Sequence, residues 1–267
     1  MTAALIHAGW NTWLKISGDR LAALAIMGAA WALLAVCMLP IVGLPAREAA
    51  GFLAASAVVH TVYALTLISA YRVGELNVIY AISRGIGPLL VTLVSAVALG
   101  EAIGLAGWAA VLLVAGGVAG FGLVRRRHAP AGLMLAVFVG CLIAAYTVLD
   151  GLGARANGSA HAYANALFLI TGAVLLAVGC ALRRGTFLVL ARPLWGRGLS
   201  AGVLAAGGYW IVIWAMSLAP LGLVAATRES SVGIAALLGW LVLRERVRWV
   251  PLVMVFAGVA LIRVAVP

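Results

Sequence analysis

Two stretches of this chain, YAISRGIGPLLVTLVSAVALGE at residues 80–101 and VAATRESSVGIAALLGWLVLRE at residues 224–245, place an arginine and a glutamate at the same spacing. Arg84 stands seventeen residues before Glu101, and Arg228 stands seventeen residues before Glu245. The second pair follows the first by 144 positions (228−84 and 245−101). This internal repeat predicts a chain built from two similar halves.

The composition is typical of an integral membrane protein. Of the 267 residues, 66% are hydrophobic and only 9% are charged, whereas soluble domains carry about 25% charged residues. The net charge of +11 would suit nucleic-acid binding, but the basic residues stand in short connectors between apolar runs and form no basic face. We therefore expect the lipid bilayer as a partner and no nucleic acid.

Apolar runs of about twenty residues fill the sequence and are separated by charged, glycine and proline connectors. As a helix, such a run crosses a hydrocarbon core of roughly 30 Å, and its continuity does not fit the alternating pattern of a membrane β-barrel. The predicted fold is all-α and integral to the membrane, with ten transmembrane helices in two inverted five-helix repeats. The predicted segments are 2–16, 21–43, 49–71, 76–99, 103–124, 131–150, 161–182, 198–218, 220–243 and 248–266.

The two halves meet at a basic run, so we predict repeats over residues 1–127 and 128–267. Inverted repeats commonly enclose a site near the bilayer midplane and alternate its access from the two sides. The architecture therefore favours a transporter with a small-molecule substrate. The alternatives are a non-transporting membrane scaffold or receptor and a membrane-embedded enzyme. Because the sequence has no metalloprotease, nucleophile-elbow or phosphate-loop motif, we expect no enzyme, no metal and no cofactor.

Three stretches resemble the drug/metabolite transporter superfamily, in its EamA-type branch. They are HAGWNTWLK at residues 7–15, the Arg84 stretch quoted above, and TRESS at residues 227–231 with the glutamate that follows at 245. The resemblance implies ten helices and a central cavity lined by the first, third, fourth, sixth, eighth and ninth segments. It also implies transport of a metabolite by alternating access, in the cytoplasmic membrane of a bacterium.

The orientation is left open by the sequence. The resemblance implies that both termini are cytoplasmic. The loop charges imply the reverse, because thirteen basic residues follow the odd-numbered segments and only three follow the even-numbered ones. The basic and apolar stretch at residues 185–198 suits either a segment along the membrane surface or an ordinary loop.

Arg84 and Arg228 are the strongest site candidates, because a guanidinium near the middle of a membrane helix must face protein or water. They could bind a carboxylate, phosphate or phosphonate through two parallel hydrogen bonds. Alternatively, they could bond to backbone carbonyls and to Glu229 and so clamp two helices together. Arg228 and Glu229 are adjacent and point about 100° apart on a helix, so we expect them not to pair with each other.

Glu229 and Asp150 are the candidates for coupling transport to protons. Glu229 lies deep in an apolar segment, where a carboxylate could take up and release a proton. A constant ion pair with one of the arginines is the alternative. Asp150 ends a predicted segment beside Gly151, so a solvated helix end is the simpler interpretation for it.

Aromatic, amide and hydroxyl side chains complete the predicted cavity. Aromatic rings can wall a pocket, although tryptophan and tyrosine in membrane helices also serve packing and interfacial anchoring. Glu101 and Glu245 end their helices, and we predict that they fix loops or gates. The other predicted cavity residues are Trp10, Asn11, Tyr80, Tyr146, Ser230, Tyr209, Trp214, His60 and Tyr63.

Overall fold

A computed structural model describes residues 19–73, 76–122, 130–244 and 246–265 of the chain. Almost all of these residues are helical. Three short 3-10 helices, Arg47–Ala49, Arg184–Thr186 and Arg192–Leu194, lie between the α-helices. In chain order, the α-helices are α1 (Arg20–Val42), α2 (Ala50–Val73), α3 (Leu76–Val97), α4 (Leu105–Gly122), α5 (Pro130–Ala156), α6 (Ala160–Arg183), α7 (Phe187–Ala191), α8 (Trp195–Leu218), α9 (Leu221–Leu243) and α10 (Trp249–Ala265).

The helical class and the multi-pass character agree with the sequence, but the prediction of ten transmembrane helices is wrong. Within the described residues, six stretches are long and apolar enough to cross a membrane. The division into two inverted five-helix repeats depends on the larger number and is not retained. The six stretches are Arg20–Val42, Arg47–Ala70, Val78–Val97, Leu105–Gly122, Ala131–Ala156 and Ala160–Leu218.

Two physical features account for part of the difference. Residues 160–218 form one unbroken apolar stretch. Its middle part contains basic residues, but the backbone there stays helical in short turns. The prediction divided the chain at these basic residues. Helix α10 has 17 residues and spans about 25 Å at 1.5 Å per residue, less than a hydrocarbon core of roughly 30 Å. The predicted segment 2–16 lies outside the described residues, as does the predicted boundary between residues 127 and 128.

Small residues let the helices approach one another closely. Helix α1 packs most extensively on α6, and α4 on α10. A Cβ atom at Gly28 of α1 would lie 2.8 Å from the carbonyl oxygen of Gly172, and a Cβ atom at Gly117 of α4 would lie 2.8 Å from that of Pro251. Close backbone contact is the usual way in which helices associate within a membrane. The large apolar side chains of Leu33 and Leu112 are exposed on the outside of the bundle, where lipid can solvate them.

Helix α1 begins at an aspartate that caps its N-terminus. Oδ1 of Asp19 accepts a hydrogen bond from the N–H of Ala22 at 2.9 Å, and Oδ2 lies 2.8 Å from Nε of Arg183 on α6. Burial alone would raise the pKa of Asp19, but these bonds hold it below its ordinary value. The stability that they contribute is therefore present at neutral pH and is lost as the pH falls through the lowered pKa.

Four connectors meet at one end of the bundle, which we call the Glu101 end. A side-chain hydrogen bond joins two of them, because Oδ1 of Asn157 accepts from the N–H of Ala46 at 2.6 Å. The connectors are residues 43–49, 98–104, 157–159 and 219–220.

Glu101 joins three helices at this end. Its Oε1 lies 2.6 Å from Nη1 of Arg155, and its Oε2 accepts from the N–H of Leu221, the first residue of α9, at 2.9 Å. Arg155 in turn donates to the carbonyl oxygens of Met216 and Ala219 at the end of α8. Glu101 thus fixes its loop, while its predicted role as a gate stays a prediction and Glu245 lies outside the described residues.

We expect Glu101→Gln to loosen the Glu101 end, because the variant keeps the shape of the side chain and removes its charge. Arg155 is about one-third exposed, so the ion pair contributes about 1 kcal/mol at most. The expected change is a Tm lower by about 2–4 °C, measured by thermal unfolding in detergent. Glu48→Gln, at an exposed position of the same end, is the matched control. Equal Tm values for the two variants would contradict this role.

Candidate functional site

A cavity of about 740 Å³, counting the space open at its mouth, lies inside the helix bundle. Side chains from α1, α2, α3, α5, α6, α8 and α9 line it, and most of its wall is apolar. Its position agrees with the expected central cavity, although α1 and α6 contribute as well. The predicted site residues that line it are Arg84, Arg228, His60, Tyr63, Tyr146 and Tyr209.

Two buried arginines share one buried carboxylate at this cavity. Nε of Arg84 on α3 lies 2.7 Å from Oε2 of Glu229 on α9, an ion pair in which the N–H is not aligned for a hydrogen bond. Nε of Arg228 donates to Oε1 of Glu229 at 3.3 Å. The prediction that Arg228 and Glu229 do not pair is therefore wrong, since their long side chains bend towards each other. Glu229 links α3 to α9, as the clamp interpretation requires.

Each arginine also keeps a buried donor that no described residue satisfies. Nη2 of Arg84 and Nη2 of Arg228 have no hydrogen-bond partner among the described residues. A buried donor without a partner costs about 1–3 kcal/mol, and more when it is charged. Because both arginines line the cavity, an acceptor that enters it can bind these donors. The geometry therefore supports the clamp and still leaves the arginines able to bind an anion.

Tyrosine rings lie against both guanidinium groups. Cζ of Arg84 is 5.6 Å from the centre of the Tyr80 ring, and Cζ of Arg228 is 6.0 Å from the centre of the Tyr146 ring. Contacts at this distance attract the cation to the face of the ring. Tyr80 thus contacts Arg84 without lining the cavity itself, whereas Tyr146 does both.

Asp150 occupies a different environment from the one that its position in the sequence suggests. The interpretation as a solvated helix end is wrong, because α5 continues to Ala156 and Asp150 has no exposed surface. The helix continues through Gly151 to Ala156, so the carboxylate lies inside the bundle. The predicted segment ended at Asp150, six residues before the end of the helix.

Four side chains surround the carboxylate of Asp150. Its Oδ1 accepts from the hydroxyl groups of Ser56 at 2.5 Å and of Tyr163 at 3.1 Å. Its Oδ2 accepts from the hydroxyl of Tyr209 at 2.5 Å and lies 3.1 Å from Nε2 of His60. A buried carboxylate is stable when its oxygens are fully hydrogen-bonded, and this one is.

His60 lies between Asp150 and the cavity. Its side chain is 14% exposed and lines the cavity, and its ring stacks on Tyr146 with 4.2 Å between the ring centres. The rings of Tyr63 and Tyr209 each lie in an edge-to-face arrangement with the ring of Tyr146, with 5.5 Å and 6.0 Å between the ring centres. The imidazole is thus in contact with a buried carboxylate on one side and with accessible space on the other.

Some predicted site residues lie elsewhere. Trp214 is 46% exposed and does not line the cavity, although it shares a helix with Tyr209. Ser230 is buried and donates to the carbonyl oxygen of Thr227 in its own helix at 2.7 Å. Trp10 and Asn11 lie outside the described residues.

The sequence reasoning missed two donors to Asp150. Ser56 stands four residues before His60, and this spacing places both on one face of a helix, so the pattern offered a signal. Tyr163 follows Asp150 by thirteen residues and lies on the next helix, α6, so no spacing within one helix indicates that the two side chains meet. Trp31 was also missed; it lines the cavity, and its Nε1 donates to the carbonyl oxygen of Gly202 at 2.9 Å.

A known crystal structure, described only as that of a protein, shares this fold. It has a TM-score of 0.75 and 16% sequence identity, and the alignment covers 99% of this chain and 95% of that one. At this identity the likeness shows the fold alone. No family model matches the chain, and no curated protein matches it.

We expect Tyr163→Phe to destabilise the protein, because it removes a buried hydroxyl that donates to Asp150. A hydrogen bond to a charged acceptor contributes about 1.5–3 kcal/mol. The loss can be measured as a lower unfolding free energy or Tm in detergent. Tyr146→Phe is the control, since it makes the same chemical change at a hydroxyl that does not contact Asp150. If both variants unfold alike, the Asp150 network does not contribute to stability in this way.

Proposed function

We propose that this chain is a secondary active transporter, a permease or exporter, that moves a small polar metabolite bearing a carboxylate or phosphonate by alternating access. The observation that carries the proposal is the cavity at which Arg84 and Arg228 each keep a buried donor that has no partner among the described residues. An anionic group of the solute would complete the hydrogen bonding of both arginines.

The charge of the cluster supports an anionic solute. Arg84 and Arg228 bring two positive charges and Glu229 brings one negative charge, which leaves +1 (2−1). The side of the cavity formed by these three groups is thus locally positive, and a local positive charge attracts an anion. The planar guanidinium fork also matches the geometry of carboxylate and phosphonate oxygens better than that of other groups.

The place of the cavity supports a small-molecule solute, because such sites commonly lie between the helices of a bundle. Residues from seven helices meet at it, so a movement of these helices against each other would change access to the solute. Such rocking around a central site is how membrane transporters alternate access.

The sequence motifs support the same class. The stretches around Trp10, Arg84 and Arg228 resemble EamA-type members of the drug/metabolite transporter superfamily, and we propose that the chain belongs to that branch. Its place would then be the cytoplasmic membrane of a bacterium.

A ligand-stabilisation screen of the purified protein tests the solute class. Amino acids, organic phosphates, phosphonates and drug-like cations are compared by their effect on Tm. We expect solutes with a carboxylate or phosphonate to raise the Tm and cations to leave it unchanged. Stabilisation by cations alone would contradict the proposal.

Counterflow of a stabilising solute in liposomes that contain only this protein then tests transport. We expect Arg84→Gln and Arg228→Gln to reduce counterflow at least tenfold per folded molecule, because each removes a donor at the cavity. Arg84→Lys keeps the charge without the fork and should retain part of the rate. Arg192→Gln, at an exposed position, is the matched control. Binding without counterflow in the unmodified protein would indicate a receptor or scaffold instead.

A further inference from the structure

We propose that His60 and Asp150 form a proton-binding pair that couples this transport, so that a proton and a solute of charge −1 cross the membrane together. The inference rests on the proposed function and specifies its driving ion and direction. Its basis is the set of charges that the bundle buries and the position of His60 between Asp150 and the cavity.

The buried charges of the described residues cancel. They are Arg84, Arg228, Asp150 and Glu229, two positive and two negative groups (2−2 = 0). The arginines are ionised at any physiological pH, and the acids each contact donors or cations that suit a carboxylate. With a neutral His60 and an empty cavity, the centre of the bundle therefore carries no net charge.

Each ligand alone disturbs this balance. A proton on His60 makes the centre +1, and a solute anion beside the arginines makes it −1. When both are bound, the centre is neutral again (+1−1 = 0). Because net charge inside a membrane protein is costly, the empty and the doubly occupied forms are favoured over the forms with one ligand. Proton and anion thus raise each other's affinity, and this coupling is reciprocal.

His60 is the group placed to carry the proton. Imidazole changes charge between about pH 5 and 8, whereas a phenol such as that of Tyr209, which also contacts Asp150 and the cavity, stays neutral in that range. Nε2 of His60 lies 3.1 Å from Oδ2 of Asp150, so the carboxylate is placed to accept a hydrogen bond from the protonated ring. Glu229 contacts two guanidinium groups instead.

The other groups around His60 and Asp150 do not carry the proton in place of His60. Those that face the pair from α2, α5, α6 and α8 are phenols and a serine hydroxyl, which are neutral. Among the described residues, Arg228 of α9 contacts the Tyr146 ring on which His60 stacks, and Arg84 of α3 lines the same cavity. The neutral groups are Ser56, Tyr63, Tyr146, Tyr163 and Tyr209.

The first experiment detects the proton without any solute. The chain has four histidines, His7, His60, His128 and His161, so NMR of protein with labelled histidine in nanodiscs resolves few signals. We expect a signal that is absent from His60→Gln, that changes with pH as a proton binds, and whose pH dependence is altered in Asp150→Asn. His161→Gln, an exposed histidine on α6, is the control. A His60 signal that does not titrate, or that ignores Asp150→Asn, overturns the proton site.

The second experiment tests coupling in liposomes. L-Glutamate and methylphosphonate are the anionic probes, and L-glutamine is the neutral match for glutamate. With a transported anion, we expect accumulation on the alkaline side to rise up to about tenfold per pH unit for one proton per anion. The quantity compared is the accumulation of the anion with the pH gradient divided by its accumulation without the gradient. This ratio should fall to about one in His60→Gln and keep the wild-type value in His161→Gln, whatever the absolute rates.

Two results of this assay overturn the coupling. One is accumulation of the anion on the acidic side, and the other is a pH-gradient effect that survives in His60→Gln. A lack of counterflow for both anions in the wild type contradicts the proposed transport and the coupling that rests on it. The NMR titration decides the proton site separately, so the two failures are distinguishable. If Asp150→Asn does not fold, the wild-type titration and the His60→Gln assay still decide.

Discussion

The ion pairs of Glu229 with Arg84 and Arg228 are the interaction on which the rest of the structure depends. A guanidinium group inside a membrane bundle is costly unless it is paired or hydrated, and here one carboxylate meets two of them, at 2.7 Å and 3.3 Å. This arrangement lets α3 and α9 carry positive charge into the bundle while binding the two helices together. It also makes this side of the cavity locally positive, which is the origin of the proposed anion site.

The two buried carboxylates have contrasting surroundings. Glu229 contacts cations, whereas Asp150 accepts hydrogen bonds from three neutral hydroxyl groups and contacts one histidine. Pairs of titratable groups in such different environments commonly divide their roles. In this account Glu229 holds the arginines in place through the cycle, and Asp150 supports the group that gains and loses a proton.

Much of the site could be predicted from single residues. An arginine in the middle of an apolar run is conspicuous, because few environments tolerate it, and the tyrosines and His60 were likewise visible as polar groups on apolar helices. Their partners were not visible, since long side chains such as those of Arg228 and Glu229 pair in spite of the 100° between them. Tyr209 lines the cavity and Trp214 of the same helix does not. Which face of that helix turns towards the cavity depends on tertiary packing, which local spacing does not determine.

The prediction that divided residues 160–218 and the prediction that placed Asp150 at a helix end were wrong for the same reason. Charged residues were taken as segment ends, yet the helix continues through Asp150 and the chain stays helical from Ala160 to Leu218. Buried partners can keep a charge inside a helix, and these partners come from distant parts of the sequence. Recognising them needs the packed structure, because Ser56 and Asp150 are separated by 94 residues.

A double-mutant cycle between Arg84 and Glu229 tests the central claim most directly. The unfolding free energy of Arg84→Met, Glu229→Gln and the double variant is compared with that of the wild type in the same detergent. Removing Glu229 leaves both guanidinium groups without their carboxylate, and breaking a buried ion pair in this way costs about 3–5 kcal/mol. The account predicts that the double variant loses at least about 1.5 kcal/mol less than the sum of the two single losses. Additive losses would contradict it.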